Sequence, residues 1–159
     1  MLLFTRQNVA FAKRDPPAVA DIARGGYVLA DFGEGRGTRR AIIIATGSEV
    51  PLALGARDVL AQDGIAVRVV SMPCTERFDR QDAGYRAAVL PRGLPRLAVE
   101  AGTTEGWRKY VGAVDDPGAG VVGIDRYGES APAPALFKHF GFTVEHVVQV
   151  LRGMLAASG

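Results

Sequence analysis

The 159 residues suffice for one domain with a real core, and 48% hydrophobic against 23% charged residues is ordinary for a soluble globular chain. A net charge of +2 with scattered arginines argues against a dedicated nucleic-acid surface, and a single cysteine, Cys74, excludes an internal disulfide and fits a reducing compartment. The opening "MLLFTRQNVAFAKR" does not match a secretory leader, since its apolar run is short and positive charge follows it, and the longest strongly apolar run, Ala41 to Ala45, cannot span a bilayer. The expected location is therefore the cytoplasm, with neither membrane nor nucleic acid as a partner.

Taken in chain order, Met1 to Phe4 has the character of the end of a strand, followed by Thr5, Arg6 and two amides. An irregular stretch runs to about Gly26. Two prolines in "KRDPPA" should break any helix there, leaving at most one helical turn near Val19 to Ala23. "YVLADF" (Tyr27 to Phe32) and "AIIIAT" (Ala41 to Thr46) are β-rich, and the glycine-rich "GEGRGTRR" between them suits a hairpin. That places the first strand antiparallel at a sheet edge.

From Ala41 onward, strands alternate with helices. A helix is predicted from Glu49 to about Gln62, with Leu52, Ala56, Val59 and Leu60 on one face. "VRVVSM" (Val67 to Met72) is the next strand, and one helix should run from Phe78 to Leu90, stopped by Pro91. Then come a strand from Arg96 to Ala101, a short helix over Glu105 to Val111 and a last strand from Gly120 to Asp125. Two helices close the chain, Pro132 to Phe140 and Val144 to about Ala156. In the second, Thr143 is the expected N-cap and Val147, Val148, Leu151 and Leu155 the buried stripe. The pattern gives an α/β fold of three layers, α/β/α, around a mostly parallel sheet of about five strands with one antiparallel edge strand. Ligands of such sheets bind at the strand carboxyl ends, which here carry "TGSE", "SMPCT", "EAGTT" and "DRYGES".

Each chemical candidate has a plainer reading beside it. In "ATGSEV", Ser48 can cap the following helix and its backbone N–H groups could hold an anion. Yet there is no phosphate-loop glycine pattern, Glu49 would repel a phosphate, and a structural turn is the plainer reading. Glu100, at the end of a buried strand, could serve as acid or base, or anchor neighbouring loop N–H groups. His139 and His146 lie too far apart on helices to share a metal, and no acidic or thiol cluster joins them. Cys74 has no histidine near it in sequence to activate it. Trp107 and Tyr110, three residues apart, form a packing face more readily than a stacking platform. Arg6, just past a strand end, would suit a phosphate group through its guanidinium fork.

The segments "TRQN", "RGGYVL", "ATGSEV", "VRVVSMP", "FDRQDAGYRAAVLP", "VEAG", "WRKYVG", "GES-APAP" and "LFKHFGFT", in this order, resemble the carboxyl-terminal domain of the transketolase family over nearly the whole chain. The resemblance implies residues 1–8 as the last strand of a preceding domain, 9–26 as a linker and 27–159 as the carboxyl-terminal domain. It implies a whole enzyme that moves a two-carbon ketol unit from a ketose phosphate to an aldose phosphate, in pentose phosphate or Calvin-type sugar metabolism. Such an enzyme is a homodimer using thiamine diphosphate and a divalent metal, magnesium or calcium, held by a cofactor-binding and a pyrimidine-binding domain absent from these residues. By carry-over from "FTRQN", Arg6 is the arginine that grips the substrate phosphate, and no catalytic, cofactor or metal residue falls in this chain, which is expected to be inactive alone. The sequence departs from the family pattern at Pro51, in the loops "GEGRGTRR" and "VDDPGAG", and at Tyr127, where the family has phenylalanine. Two other functions compete: a non-catalytic assembly or regulatory module that associates with separate cofactor domains, and a small-molecule-binding α/β domain using the TGSE/EAGTT crevice.

Overall fold

A computed structural model describes residues 7–9, 16–32 and 39–158. Its centre is β2 (Arg39–Ala45), whose last five residues are fully buried. β3 (Ile65–Ser71) and β4 (Arg96–Val99) flank it in parallel, and β5 (Ala119–Val122) pairs in parallel with β4. β1 (Tyr27–Ala30) closes the other edge, antiparallel to β3, giving the order β1-β3-β2-β4-β5. The mixed five-stranded sheet and its antiparallel edge match the expectation. The expected hairpin does not form, since β1 pairs with β3 and never with β2. A central strand this apolar needs two parallel neighbours, and those sites are taken by β3 and β4.

The helices are sorted by the direction of travel along the sheet. From β2 to β3 the chain moves one way through α2 (Val50–Gln62); from β3 it crosses back over β2 to β4 through α3 (Thr75–Asp79) and α4 (Ala83–Val89), then on to β5 through α5 (Glu105–Val111). Crossovers between parallel strands keep one hand, so reversing direction puts the connecting helices on the opposite face. One face therefore packs Ala41, Ile43, Val67, Val69 and Leu97 under α2 and α7 (Val144–Ala157). The other packs Ile42, Ile44, Val70 and Ala98 under α3, α4 and α5. α6 (Ala133–His139) precedes α7 and lends Phe137 to the first face, 5.4 Å from Phe142. In α7 the predicted stripe is buried with Met154 added, and the Thr143 hydroxyl accepts from the His146 N–H at 3.2 Å as expected.

Two local expectations are corrected, and one lies outside the described residues. The helix foreseen from Phe78 to Leu90 is two helices, because the Asp82 carboxylate accepts from the Tyr85 N–H at 2.8 Å and restarts the helix there. The prolines of "DPPA" begin a helix, α1 (Pro16–Ile22), at whose first turn a missing N–H costs nothing. The glycine-rich loop lies outside the described residues except for Arg39 and Arg40, which start β2.

Residues 16–26 are held to the body. The Arg24 guanidinium stacks 3.2 Å from the Tyr85 ring centre and donates to Gln81 at 3.3 Å, while Arg77 donates to the Ala23 carbonyl at 3.2 Å. The Cys74 N–H donates to the Gly25 carbonyl at 3.0 Å, and the Tyr85 hydroxyl to the Gly26 carbonyl at 2.9 Å. Gly25 has φ 89°, and a Cβ there would collide with the Cys74 carbonyl and the backbone of Phe78; a Cβ on Gly26 would stand 2.8 Å from the Phe78 ring. Only glycine allows α3 to approach so closely. At the far end of β1, Arg68, the one charged residue within β3, donates to both carboxylate oxygens of Asp31 at 2.9 and 3.1 Å and to the Ala88 and Val89 carbonyls at 2.6 and 3.1 Å. Burial opposes the charge on Asp31, but Arg68, the Phe32 N–H and nearby Arg40 hold its carboxyl below the usual value.

Gly25→Ala should cost about 2–3 kcal/mol in urea unfolding, through the disfavoured φ and the clash with α3. Gly153→Ala, inside α7 with open space around its Cβ, should instead stabilise by about 0.5–1 kcal/mol. Equal effects at the two sites would mean the Gly25 joint is not close-packed.

Candidate functional site

The connection from β2 leaves in one direction along the sheet and that from β4 in the other, so the carboxyl ends of these two neighbouring strands form the switch point at which such sheets hold ligands. Two segments face it. After β2, Gly47 at φ 53° leads a single 3-10 turn, Gly47–Glu49, directly into α2, with Pro51 in the first turn. After β4, Glu100 is followed by a tight turn in which the Gly102 N–H donates to the Glu100 carbonyl at 2.8 Å.

This topology brings together two carboxyl groups far apart in sequence. Glu49 is only 3% exposed, the one buried acidic or basic side chain among the described residues, and lies within hydrogen-bonding reach of Glu100. Ser48 does not cap α2 as expected, because the 3-10 turn carries it past that position and Glu49 stands at the N-cap; the Ser48 hydroxyl donates instead to Glu49 Oε1 at 2.9 Å. Burial, then the charge and hydrogen bond of Glu49, push the Glu100 carboxyl up to about 7. Glu49 is raised by burial too, but Ser48, its own N–H and Glu100 favour its charge. Two carboxyls so placed, both raised by burial, favour keeping one proton between them near neutral pH. Glu100 Oε2 is buried without a partner. Such a pair can hold or release a proton near neutral pH, and it ties the β2 turn to the end of β4. The loop after β4 is anchored in turn, because Asp125 beyond β5 accepts from the Thr104 N–H and hydroxyl, both at 2.8 Å.

The remaining candidates are dispersed. Trp107 and Tyr110 are buried and pack at 6.0 Å between ring centres; the Tyr110 hydroxyl donates to Asp79, and burial followed by Asp79 pushes it up to about 12. His139 is exposed beside Arg126 and Glu129, and His146 is exposed on α7. Cys74 precedes α3 with its thiol 3.5 Å from Glu76. Among the described residues no group of three or more His, Cys, Asp or Glu could hold a metal. Arg6 lies outside the described residues. Sequence reasoning found Glu49 and Glu100 separately and missed their pairing; the only available signal was the prior that neighbouring strand ends at a direction reversal converge.

The family model for the transketolase-like C-terminal domain matches residues 25–143. The chain belongs to that family. It is 52% identical over 155 residues to transketolase 1 of Pasteurella multocida, covering 97% of this chain and 23% of that protein. Among solved structures, a transketolase mutant from Pichia stipitis superimposes with a TM-score of 0.82 at 38% identity, covering 96% of this chain and 21% of that one. The transketolase from Leishmania mexicana gives 0.76 at 41% identity, over 87% of this chain and 19% of that one. The chain thus spans about a fifth to a quarter of its transketolase relatives.

A carboxyl whose folded value is raised binds its proton more tightly folded than unfolded. The stability it lends is full below the ordinary glutamate value and is lost as pH rises through about 7. Glu100→Gln keeps a donor toward Glu49 without the charge. It should therefore be more stable than the parent at pH 8, by about 1 kcal/mol after solvent screening of this partly buried group. The gap should close by pH 5. Urea unfolding at the two pH values measures it, and a gap independent of pH would rule out the shared proton.

Proposed function

We propose that this chain is the carboxyl-terminal part of a transketolase, a transferase that moves a two-carbon ketol unit from a ketose phosphate to an aldose phosphate. The observation that carries the reading is 52% identity over 97% of the chain to a named transketolase, with the family's domain fold around it. In the whole protein, thiamine diphosphate with a divalent metal supplies the stabilised carbanion. The strand carboxyl ends of this chain present the paired carboxyls Glu49 and Glu100, which suit neither the diphosphate nor its metal-bound anionic groups. The cofactor therefore belongs to the domains ahead of this one, and no step is routed through it here. Homodimerisation, sugar phosphate substrates, cytoplasmic location and a domain spanning 27–159 after a linker belong to the same reading.

Arg6 is the residue by which this chain would touch substrate, on the strength of the motif "FTRQN". A guanidinium fork makes charge-assisted hydrogen bonds to a phosphate, each contributing about 1.5–3 kcal/mol. The phosphate is remote from the reacting carbons and is gripped equally in ground and transition states, so its loss falls on KM.

A chimera tests the proposal. Replacing the matching segment of Pasteurella multocida transketolase 1 with this chain should give a protein that transfers ketol units, whereas this chain alone should show no calorimetric binding of thiamine diphosphate with magnesium. An inactive but folded chimera, or cofactor binding by the isolated chain, would refute the reading. In the active chimera, Arg6→Ala should raise KM for a phosphorylated donor about 10- to 100-fold and leave an unphosphorylated donor nearly unchanged. Lysine at that position should restore only part of the loss. Equal harm to both donors would remove Arg6 from the phosphate.

A further inference from the structure

Away from the strand carboxyl ends, α3, α4 and α5 border an open surface hollow of about 420 Å³, within the volume range of small-molecule sites. It exists because α4 turns two small side chains toward it, Ala83 and Ala87, one turn apart, while Leu90 and Tyr110 continue the apolar wall. Four cations, Arg86, Arg92, Arg96 and Lys109, line the same hollow against one carboxylate, Asp79. Asp79 is already engaged, accepting from Lys109 at 2.6 Å and from the Tyr110 hydroxyl at 3.0 Å. The next carboxylate, Asp116, lines a neighbouring hollow shared with Arg92 and Arg96, and binds its own loop through the Gly118 N–H at 2.8 Å.

The arginines divide by what the fold requires of them. Arg96 has a structural task, donating to the Tyr110 carbonyl at 2.8 Å, the Leu90 carbonyl at 3.0 Å and the Pro91 carbonyl at 2.9 Å, where cations suit the negative ends of α4 and α5. Half-buried, it has no carboxylate partner among the described residues. Arg92 has no such task. It makes no hydrogen bond or ion pair among the described residues, and its charge bears on Arg96, a like charge. Burial first, then Arg92, makes the charged form of Arg96 less favourable than usual. Helix capping explains Arg96 alone; a second arginine beside it with no counter-charge is a cost that a bound anion would remove.

We propose that this hollow binds a phosphate ester with an apolar or aromatic body, its phosphate held by Arg92 and Arg96 and its body lying along Ala83 and Ala87. Two guanidinium groups match phosphate oxygens in geometry as well as charge. The alanine wall sets the other half of the specificity, since it offers nothing to a bare inorganic anion.

Calorimetry on the 159-residue chain, with ADP, inorganic pyrophosphate and adenosine as probes, separates the two halves. ADP should bind, and pyrophosphate and adenosine should each bind at least about fivefold more weakly. Arg92→Ala removes an exposed side chain with no fold contact, and Ala87→Phe fills the hollow without changing charge. Each should weaken ADP about tenfold while the melting temperature stays close to that of the parent. Added salt should weaken ADP binding further. No ADP binding up to about 5 mM would overturn the proposal. So would pyrophosphate binding as tightly as ADP, or ADP binding that neither variant changes.

Discussion

Everything in this fold answers to the burial of β2. Five consecutive residues, Ala41 to Ala45, have no contact with solvent on either face, and both backbone edges are bonded to parallel neighbours. An element with no free side forces the rest of the chain to surround it. Helices must cover two faces, the connections must depart in both directions along the sheet, and a reversal between β3 and β4 follows. The Glu49–Glu100 pair is a by-product of that reversal. Neither side chain has a reason to meet the other until two strands far apart in sequence become neighbours.

The two ends of the sheet have opposite electrostatic character. At the strand carboxyl ends, two acids whose charged forms are disfavoured by burial meet beside an anchored glycine turn. Where the chain enters β4, arginines cluster at the last turns of α4 and α5. The acidic end gains from protonation and the basic end from an anion. This polarity is built from the side chains that begin and end β4, Arg96 and Glu100, separated by only the three apolar residues of that strand.

Much of the architecture was legible because it rests on patterns that few alternatives satisfy. The runs "AIIIA" and "VRVV" are too apolar and too β-branched for anything but buried parallel strands, and the stripe of α7 with its Thr143 cap admits one face and one start. What escaped was decided by tertiary contacts. Asp82 lies inside an otherwise helical pattern, and only the geometry shows its carboxylate starting a new helix. A glycine-rich loop between two strands suggests a hairpin, yet the most buried strand takes parallel partners and the first strand, at the edge as expected, pairs with β3 instead. Ser48 is placed to cap α2, but a 3-10 turn intervenes, Glu49 takes the N-cap position, and the Ser48 hydroxyl donates to that carboxylate. The carboxyl pair and the arginine hollow share one reason for being hidden: each joins residues from elements whose adjacency periodicity does not encode.

The irregularity in β1 has a bearing on how this sheet behaves among other chains. Its pairing with β3 slips between Val28 and Ala30, and the strand stops after four residues where Arg68 and Arg57 gather around Asp31. An outermost strand with unsatisfied amide and carbonyl groups is an invitation to intermolecular β-pairing, the first step toward aggregates. Here the slipped register disrupts the regular row of groups an incoming strand would copy, and the ionic cluster places charge beside it. The opposite border, β5, is equally brief. Among the described residues so apolar a sheet thereby presents no long, flat template on either side, and its protection from edge-to-edge pairing owes as much to the brevity of its borders as to the helices over its faces.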